Sequence, residues 1–290
     1  MFVVLGASGH IGDALVTELL KRGQEVLALT HDPSKIAGFH NRGVEAMVVD
    51  VHDVDGLRAA FRRGNRAYLL NPPAPISADT DREERASAKA ILQALEGTSL
   101  EKVVLQSTYG AQPGDRIGDL SVLFEFEQGL RSQSTPVSVL RAAYYMTNFD
   151  PLLPQAKEGQ LPTMFPADFC LPMVAPTDIA ASAVDLLAAP PEPFEIHYIE
   201  GPDRYTLTDM AKAFESALHR NIEVESIPSD QWQRSYRALE FSPEAVESFA
   251  RMMKTTIEKG PEAPLAPHKG QTSVDRYIRS LVGRDISKNS

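Results

Sequence analysis

The stretch VVLGASGHIG, residues 3–12, constrains the chain more than any other. It joins an apolar run, residues 2–5, to a segment, residues 11–22, whose leucines and valines recur at helical spacing. Glycine stands at 6, 9 and 12, where the strand must turn into the helix. In the dinucleotide fingerprint the first glycine makes the tight turn, the second lets backbone approach a pyrophosphate, and the third lets helix and strand pack closely. Here the spacing is G-x-x-G-x-x-G, one residue longer than G-x-G-x-x-G. The context predicts a phosphate cradle of Gly6, Ser8, Gly9, His10, Ile11 and Gly12. The amides of His10 and Ile11 would face the anion, helped by the helix dipole, and the Ser8 hydroxyl would add a bond.

Short apolar runs and amphipathic stretches then alternate through the first half, the mark of βαβ units around a parallel sheet. Strands are predicted at residues 2–5, 25–30, 46–49, 67–70, 103–106 and 137–140, and helices at 11–22, 53–62, 80–96 and 120–132. Gly23 after Lys21-Arg22 reads as a helix end, and Asp32-Pro33 as a helix cap followed by a first-turn proline. Residues 151–176 are proline-rich without period. Beyond them come a helix at 179–188 capped by Asp178, a strand near 196–199, a helix at 208–218, a short strand at 223–227 and a helix at 243–258. Residues 259–270 read as a loop. The expected fold is α/β, a Rossmann-type doubly wound parallel sheet with a smaller C-terminal lobe. Residues 1–141 and about 172–199 are assigned to nucleotide binding, and about 142–171 with 200–290 to the substrate lobe.

Ligands in open α/β sheets bind at the carboxyl ends of the strands. An NAD-specific site places an acidic residue at the end of the second strand, to accept bonds from the ribose 2′-hydroxyl. Here Thr30 and His31 stand there, Asp32 is explained as a cap, and Lys35 follows one turn later. That pattern favours NADP(H) over NAD(H). Asp50 and Val51 end the third strand, where they would meet adenine. Asn71, Pro72 and Pro73 follow the fourth strand along the ribose, and Ser107, Thr108 and Tyr109 follow the fifth near the nicotinamide.

Together these stretches resemble the NmrA-like group of atypical short-chain dehydrogenase/reductases, which includes NADPH-dependent quinone reductases, triphenylmethane dye reductases and a nitrogen-regulation sensor. The matching segments include LTHDPSK, VVDVHD, LLNPP, VVLQSTYGA, FEQGLRSQSTPVSVLRAAYYMTNF, MVAPTDIAASAVDLL and YIEGPDRYTLTDMAKAF, in family order from Phe2 to about Phe214. The resemblance implies an NADPH-dependent oxidoreductase or, alternatively, a non-catalytic NADP(H) sensor of the NmrA type that binds a protein partner. Where the family pattern usually carries arginine, this chain has His31.

Many short-chain reductases protonate the nascent alkoxide with the tyrosine of Tyr-x-x-x-Lys. None of the eight tyrosines has lysine four places on, and Leu120 and Phe124 stand where that motif aligns. Without it, reduction of an aliphatic ketone to a strongly basic alkoxide is disfavoured. A quinone yields a delocalised phenolate comparable to that of tyrosine, with pKa about 10, and a cationic dye simply becomes neutral. The expected substrate is therefore a quinone or a related conjugated acceptor. The candidate substrate residues are Tyr109, Tyr144, Tyr145, Asn148 and Phe165, with Phe169 beside Phe165 as part of a lid. Tyr109 and Tyr144 are the candidate catalytic residues, and Trp232 is expected in the core.

Lys and Arg number 29 against 39 Asp and Glu, a net charge of −10 that argues against nucleic acid or an anionic membrane as partner. The single Cys170 can form no internal disulfide and is expected to be a buried thiol. The seven histidines have no metal-ligand spacing, so no metal is expected. The absence of a signal sequence or spanning run points to a cytoplasmic protein. Oligomeric state is left open.

Overall fold

The protein is described by a computed structural model covering residues 1–289, with side chains through residue 286. In chain order, β1 (Phe2–Leu5) leads to α1 (His10–Lys21), β2 (Val26–Thr30), α2 (Ile36–His40), β3 (Glu45–Val48), α3 (Val54–Phe61), β4 (Arg66–Leu69), α4 (Thr80–Leu95), β5 (Lys102–Thr108), α5 (Asp119–Arg131) and β6 (Val137–Ala142). There follow β7 (Tyr144–Tyr145), α6 (Leu153–Lys157), β8 (Gln160–Thr163), β9 (Leu171–Val174), α7 (Pro176–Ala188), β10 (Phe194–Glu200), β11 (Arg204–Tyr205) and α8 (Leu207–Leu218). The chain continues through β12 (Glu223–Ser226), α9 (Trp232–Ala238), α10 (Pro243–Lys259), β13 (His268–Lys269) and α11 (Val274–Asn289).

Eight strands form one parallel sheet in the order β13-β10-β6-β5-β4-β1-β2-β3. Strand side chains alternate between faces, so each strand feeds two cores. Val4, Ala28, Val104 and Leu140 meet Leu15, Val16 and Leu19 of α1 and Ile179, Ala183 and Leu187 of α7 on one face. Val3, Leu5, Leu27 and Leu69 meet Leu57 and Phe61 of α3, Ile91 and Leu95 of α4, and Phe126 and Leu130 of α5 on the other. Each fully buried leucine or phenylalanine contributes about 1.5–3 kcal/mol relative to exposure. The winding direction reverses at β1, which lies between β4 and β2, and opens a crevice at the carboxyl edge there. This is the doubly wound architecture expected from the sequence.

A third apolar cluster lies beyond the sheet: Met146, Phe149, Leu161, Phe165 and Met173 pack with Leu207, Met210 and Phe214 of α8 and with Ile278, Leu281 and Val282 of α11. Thr206 starts α8 with a reciprocal cap, its hydroxyl accepting from the Asp209 amide at 3.1 Å while Asp209 accepts from the Thr206 amide at 3.0 Å. A small sheet in the order β11-β9-β7 carries the chain from β6 into this cluster.

Several expectations are corrected. Residues 151–176 hold α6, β8 and β9. Residues 259–270 include β13, which pairs with β10 through Ile199↔His268 and Glu200↔Lys269. Residue α7 capping is also different: Ala175 is the N-cap, and Asp178 lies in the first turn, accepting from the Thr272 amide at 2.9 Å. Cys170 is exposed rather than buried. Trp232 is core as expected, 7 % exposed and donating its indole N–H to the Ile227 carbonyl at 2.8 Å. No helix among the described residues is long and apolar enough to cross a membrane.

Candidate active site

The turn after β1 is built as its glycines require. Gly6 has φ +74°, and a Cβ there would meet Leu70 Cδ2 at 2.6 Å. A Cβ on Gly12 would lie 2.1 Å from the Gly6 carbonyl oxygen, so the first turn of α1 packs directly on the strand end. Gly9 differs. Its φ is −80°, and a Cβ would meet nothing nearer than 3.5 Å. The chain's own packing has no need of glycine at 9. Behind Gly9, the amides of His10, Ile11 and Gly12 have no carbonyl one helical turn earlier. The Asp13 amide takes the Gly9 carbonyl at 2.9 Å.

A crevice of about 390 Å³ adjoins this turn, walled by Gly6, Thr30, His31, Asp50, Val51, Pro72 and Pro73 among others. Seven predicted cofactor residues from four strand ends thus meet in one place. The others are placed as follows. Ser8 and Thr30 share a hydrogen bond of 2.9 Å between their hydroxyls, so Ser8 closes the turn against β2. Asp32 accepts from the Ser34 amide at 2.9 Å, which fixes it as the expected cap, and the Ser34 hydroxyl together with that amide lowers its pKa. Lys35 is exposed and lies outside the crevice walls. The His10 side chain borders a different recess, between α1 and α11. Asn71 donates to the Glu84 carbonyl at 3.0 Å, leaving its own Oδ1 buried without a hydrogen-bond partner.

At the ends of β5 and β6, along the same sheet edge, lies a cavity of about 240 Å³. The candidate substrate residues Tyr109, Tyr144, Tyr145, Asn148 and Phe165 all line it, together with Thr108 from the candidate cofactor residues and with Leu120, Leu123, Met252, Met253, Asp119 and Glu262. The aromatic side is a packed stack: Tyr144 meets Phe149 and Phe165 edge-on, at 5.9 and 5.5 Å, and Phe165 stacks on Phe169 at 5.3 Å. Ser107 does not face the cavity. It is fully buried and donates to Glu127 at 2.5 Å, and Glu127 in turn pairs with Arg141 at 2.7 Å, because Ser107 falls on the α5 face of β5.

The tyrosine hydroxyls are already engaged. Tyr109 donates to Glu200 at 3.2 Å, and Tyr145 accepts from Gln106 at 3.2 Å. Tyr144 is hydrogen-bonded to Asn148. Burial pushes the pKa of all three upward. Burial would also raise Glu200, but Lys269 and Arg204 outweigh it and hold the carboxyl below its usual value. Over the cavity runs the strap 259–268, latched by Glu262. Its carboxylate accepts from the Gly110 amide at 2.8 Å and the Tyr198 hydroxyl at 2.7 Å.

Sequence reasoning missed two acidic residues here. Asp119 opens α5, lines the cavity and is exposed there. Behind it Glu84 of α4 is hydrogen-bonded to Asp119 and accepts from the Ala74 amide at 3.0 Å. Burial, with Asp119 and Asp81 nearby, pushes Glu84 up to about 8. Burial and Asp81 raise Asp119 as well, against the bond from Glu84. The one signal in the sequence was the position of Asp119, immediately before Leu120. Among the described residues no group of three or more His, Cys, Asp or Glu is placed to hold a metal ion.

A parallel sheet with this turn at its switch point defines the class of dinucleotide-binding α/β proteins. Within it, the NmrA-like family model matches residues 1–278, and the chain belongs to that family. It is 21% identical over 238 residues to the NAD(P)H azoreductase of Xenophilus azovorans, covering 80% of this chain and 78% of that one. In fold it is similar to the Citrobacter sp. triphenylmethane reductase complexed with NADP(H), at TM-score 0.79, 16% identity, and coverage of 97% and 99% of the two chains. The NADPH-dependent quinone oxidoreductase of Escherichia coli, complexed with NADPH, superposes at TM-score 0.77, again with 16% identity and coverage of 97% and 99%.

Proposed function

We propose that this protein is an NADPH-dependent oxidoreductase that reduces quinones or related conjugated acceptors by direct hydride transfer. The observation that carries the reading is Gly9, a glycine that the chain's own packing does not require, set over free helix amides beside a crevice that collects four strand ends. The orphaned Oδ1 of Asn71 gives the loop after β4 an unused acceptor beside that crevice. The named relatives act on azo, triphenylmethane and quinone compounds, all of them conjugated acceptors.

The residues that would hold the cofactor are Gly6, Gly9 and the amides of His10 to Gly12 at the pyrophosphate, with Asp50, Val51, Pro72 and Pro73 around the adenosine. His31 on the crevice wall and Lys35 within a turn of it favour a 2′-phosphate. Bound there, the reduced nicotinamide supplies hydride. The chain orients the acceptor against Tyr144 and Phe165, excludes water with the strap, and holds both reactants at one sheet edge. Such positioning is a large part of the acceleration available to a bimolecular step.

Purified protein is mixed with NADPH or NADH and a panel of quinones, azo compounds, triarylmethane dyes and aldehydes, and loss of reduced-nicotinamide absorbance is followed. Turnover with conjugated acceptors and none with simple aldehydes is expected. Tight nucleotide binding with no acceptor turned over would replace this reading with that of an NADP(H) sensor acting on a protein partner. Replacing His31 and Lys35 together by alanine is expected to weaken NADPH more than NADH. Equal losses would remove the preference for the phosphorylated cofactor.

A further inference from the structure

The cavity holds one polar pair that nothing above has used. Asp119 faces its interior at the start of α5, and Glu84 lies behind, one oxygen on the Ala74 amide and the carboxyl bonded to Asp119. Two carboxyl groups in contact, with Glu84 buried behind the exposed Asp119, do not both ionise, and they hold one proton between them at neutral pH. The groups around the pair leave that arrangement in place. Asp81 on α4 pairs with Arg85 at 3.3 Å and accepts from the Ser248 hydroxyl of α10. Tyr145 on β7 faces Asp119, and Lys259, Glu262 and Tyr109 border the cavity. Lys259 is hydrogen-bonded to Gln112, Glu262 is bound by Gly110 and Tyr198, and Tyr109 by Glu200. No other carboxyl bordering the cavity is free to deliver a proton.

We propose that Asp119, recharged by Glu84, is the proton donor to the reduced acceptor, and that the cavity is thereby suited to quinones and other acceptors whose reduction leaves an anionic oxygen. This rests on reading the cavity as the acceptor site. The donor stands one residue before Leu120, the position at which the tyrosine of Tyr-x-x-x-Lys aligns. Hydride arriving from the nicotinamide brings two electrons and a hydrogen to the quinone, and the nicotinamide is left oxidised. The quinone's anionic oxygen then takes the proton of Asp119: an O–H bond forms on the product and the carboxyl O–H bond breaks. The pair, now doubly charged, regains a proton from solvent. A carboxylic acid gives its proton downhill to a phenolate whose conjugate acid has pKa about 10.

A cationic triarylmethane dye becomes neutral on accepting hydride and needs no proton, so it serves as the internal control. Asp119→Asn is expected to lower the ratio of quinone to dye kcat by roughly 100-fold, the usual contribution of a positioned acid. Glu84→Gln keeps the bond to the Ala74 amide and should move the basic limb of the quinone profile to lower pH. Independently of turnover, infrared spectra of the nucleotide-free protein should show a protonated carboxyl band at pH 6.5 that fades through about pH 8 in the wild type, and at lower pH in either variant. An equal kcat loss for quinone and dye, or a carboxyl band that neither substitution shifts, overturns the donor role while leaving the proposed function intact. Failure of the wild type to reduce either acceptor overturns that function, and this inference with it.

Discussion

Gly9 and Gly12 are glycines for opposite reasons, although the sequence presents them as one motif. At 12 a Cβ would lie 2.1 Å from a carbonyl oxygen of the chain itself, whereas at 9 it would make only an ordinary contact, 3.5 Å from the Gly6 carbonyl oxygen. Gly12→Ala is therefore expected to destabilise the fold by about 1–3 kcal/mol or more, read as a fall in the midpoint of urea unfolding. Gly9→Asp should leave that midpoint in place and abolish nucleotide binding in a calorimetric titration, since its carboxylate fills the phosphate position. The carboxyl pair makes a second prediction. Glu84 has its folded pKa raised from 4.5 to about 8, so the native state binds more protons than the unfolded chain between those values. This contribution to stability is complete below about pH 4.5 and is lost as pH rises through about 8. Unfolding by urea at pH 5 and 8.5 should show the decline, and Glu84→Gln should flatten it. At this scale the sequence revealed residue types at strand ends but not where their side chains point. Ser107 and Tyr109 are two apart, yet one is bound to Glu127 on the α5 side and the other to Glu200.

Elements that carry a period were readable, and those that borrow their stability from a neighbour were not. β1 matches its predicted span, and α1, α4, α5 and α10 lie within a residue or so of theirs, because burial of one face in every turn or every second residue leaves a mark on local sequence. β7, β11 and β13 are two residues each, too short for any alternation, and they exist because another strand offers them a ladder. α11 packs on α8 through Ile278, Leu281 and Val282 and had no distinct local signal among its charged residues. The tie between β5, α5 and β6 is likewise tertiary, joining Ser107, Glu127 and Arg141. Glu127 is fully buried and Arg141 nearly so, and removing one partner strands the other charge in the core. Glu127→Ala is expected to cost about 3–5 kcal/mol in chemical denaturation. Glu127→Gln, which keeps part of the hydrogen bonding, should cost less.

Over the whole molecule, the strap 259–268 joins α10 to the last strand of the sheet and borders the cavity at the ends of β5 and β6 on the way. Glu262 holds it to the Gly110 amide and Tyr198, with the Arg141 guanidinium 3.6 Å away, while Lys269 and Arg204 converge on Glu200 beneath. Because these bonds lie at the rim rather than in a core, Glu262→Ala should leave the unfolding midpoint nearly unchanged and free the strap. Limited trypsin digestion should then cleave faster after Lys259 than in the wild type, as local opening no longer has to break the latch. The sequence by itself determined the parallel α/β architecture, the glycine turn and the strand ends that gather around the crevice beside it. Those features follow from periodicity and backbone sterics, which act over a few neighbouring residues. Only the tertiary structure decided which carboxyl faces the cavity, which tyrosine hydroxyls are engaged and what covers the site. Those outcomes depend on Asp119 meeting Glu84, Tyr109 meeting Glu200 and Gly110 meeting Glu262. Such pairings join residues 35 to 152 positions apart, and no local pattern encodes a contact formed only when distant elements pack.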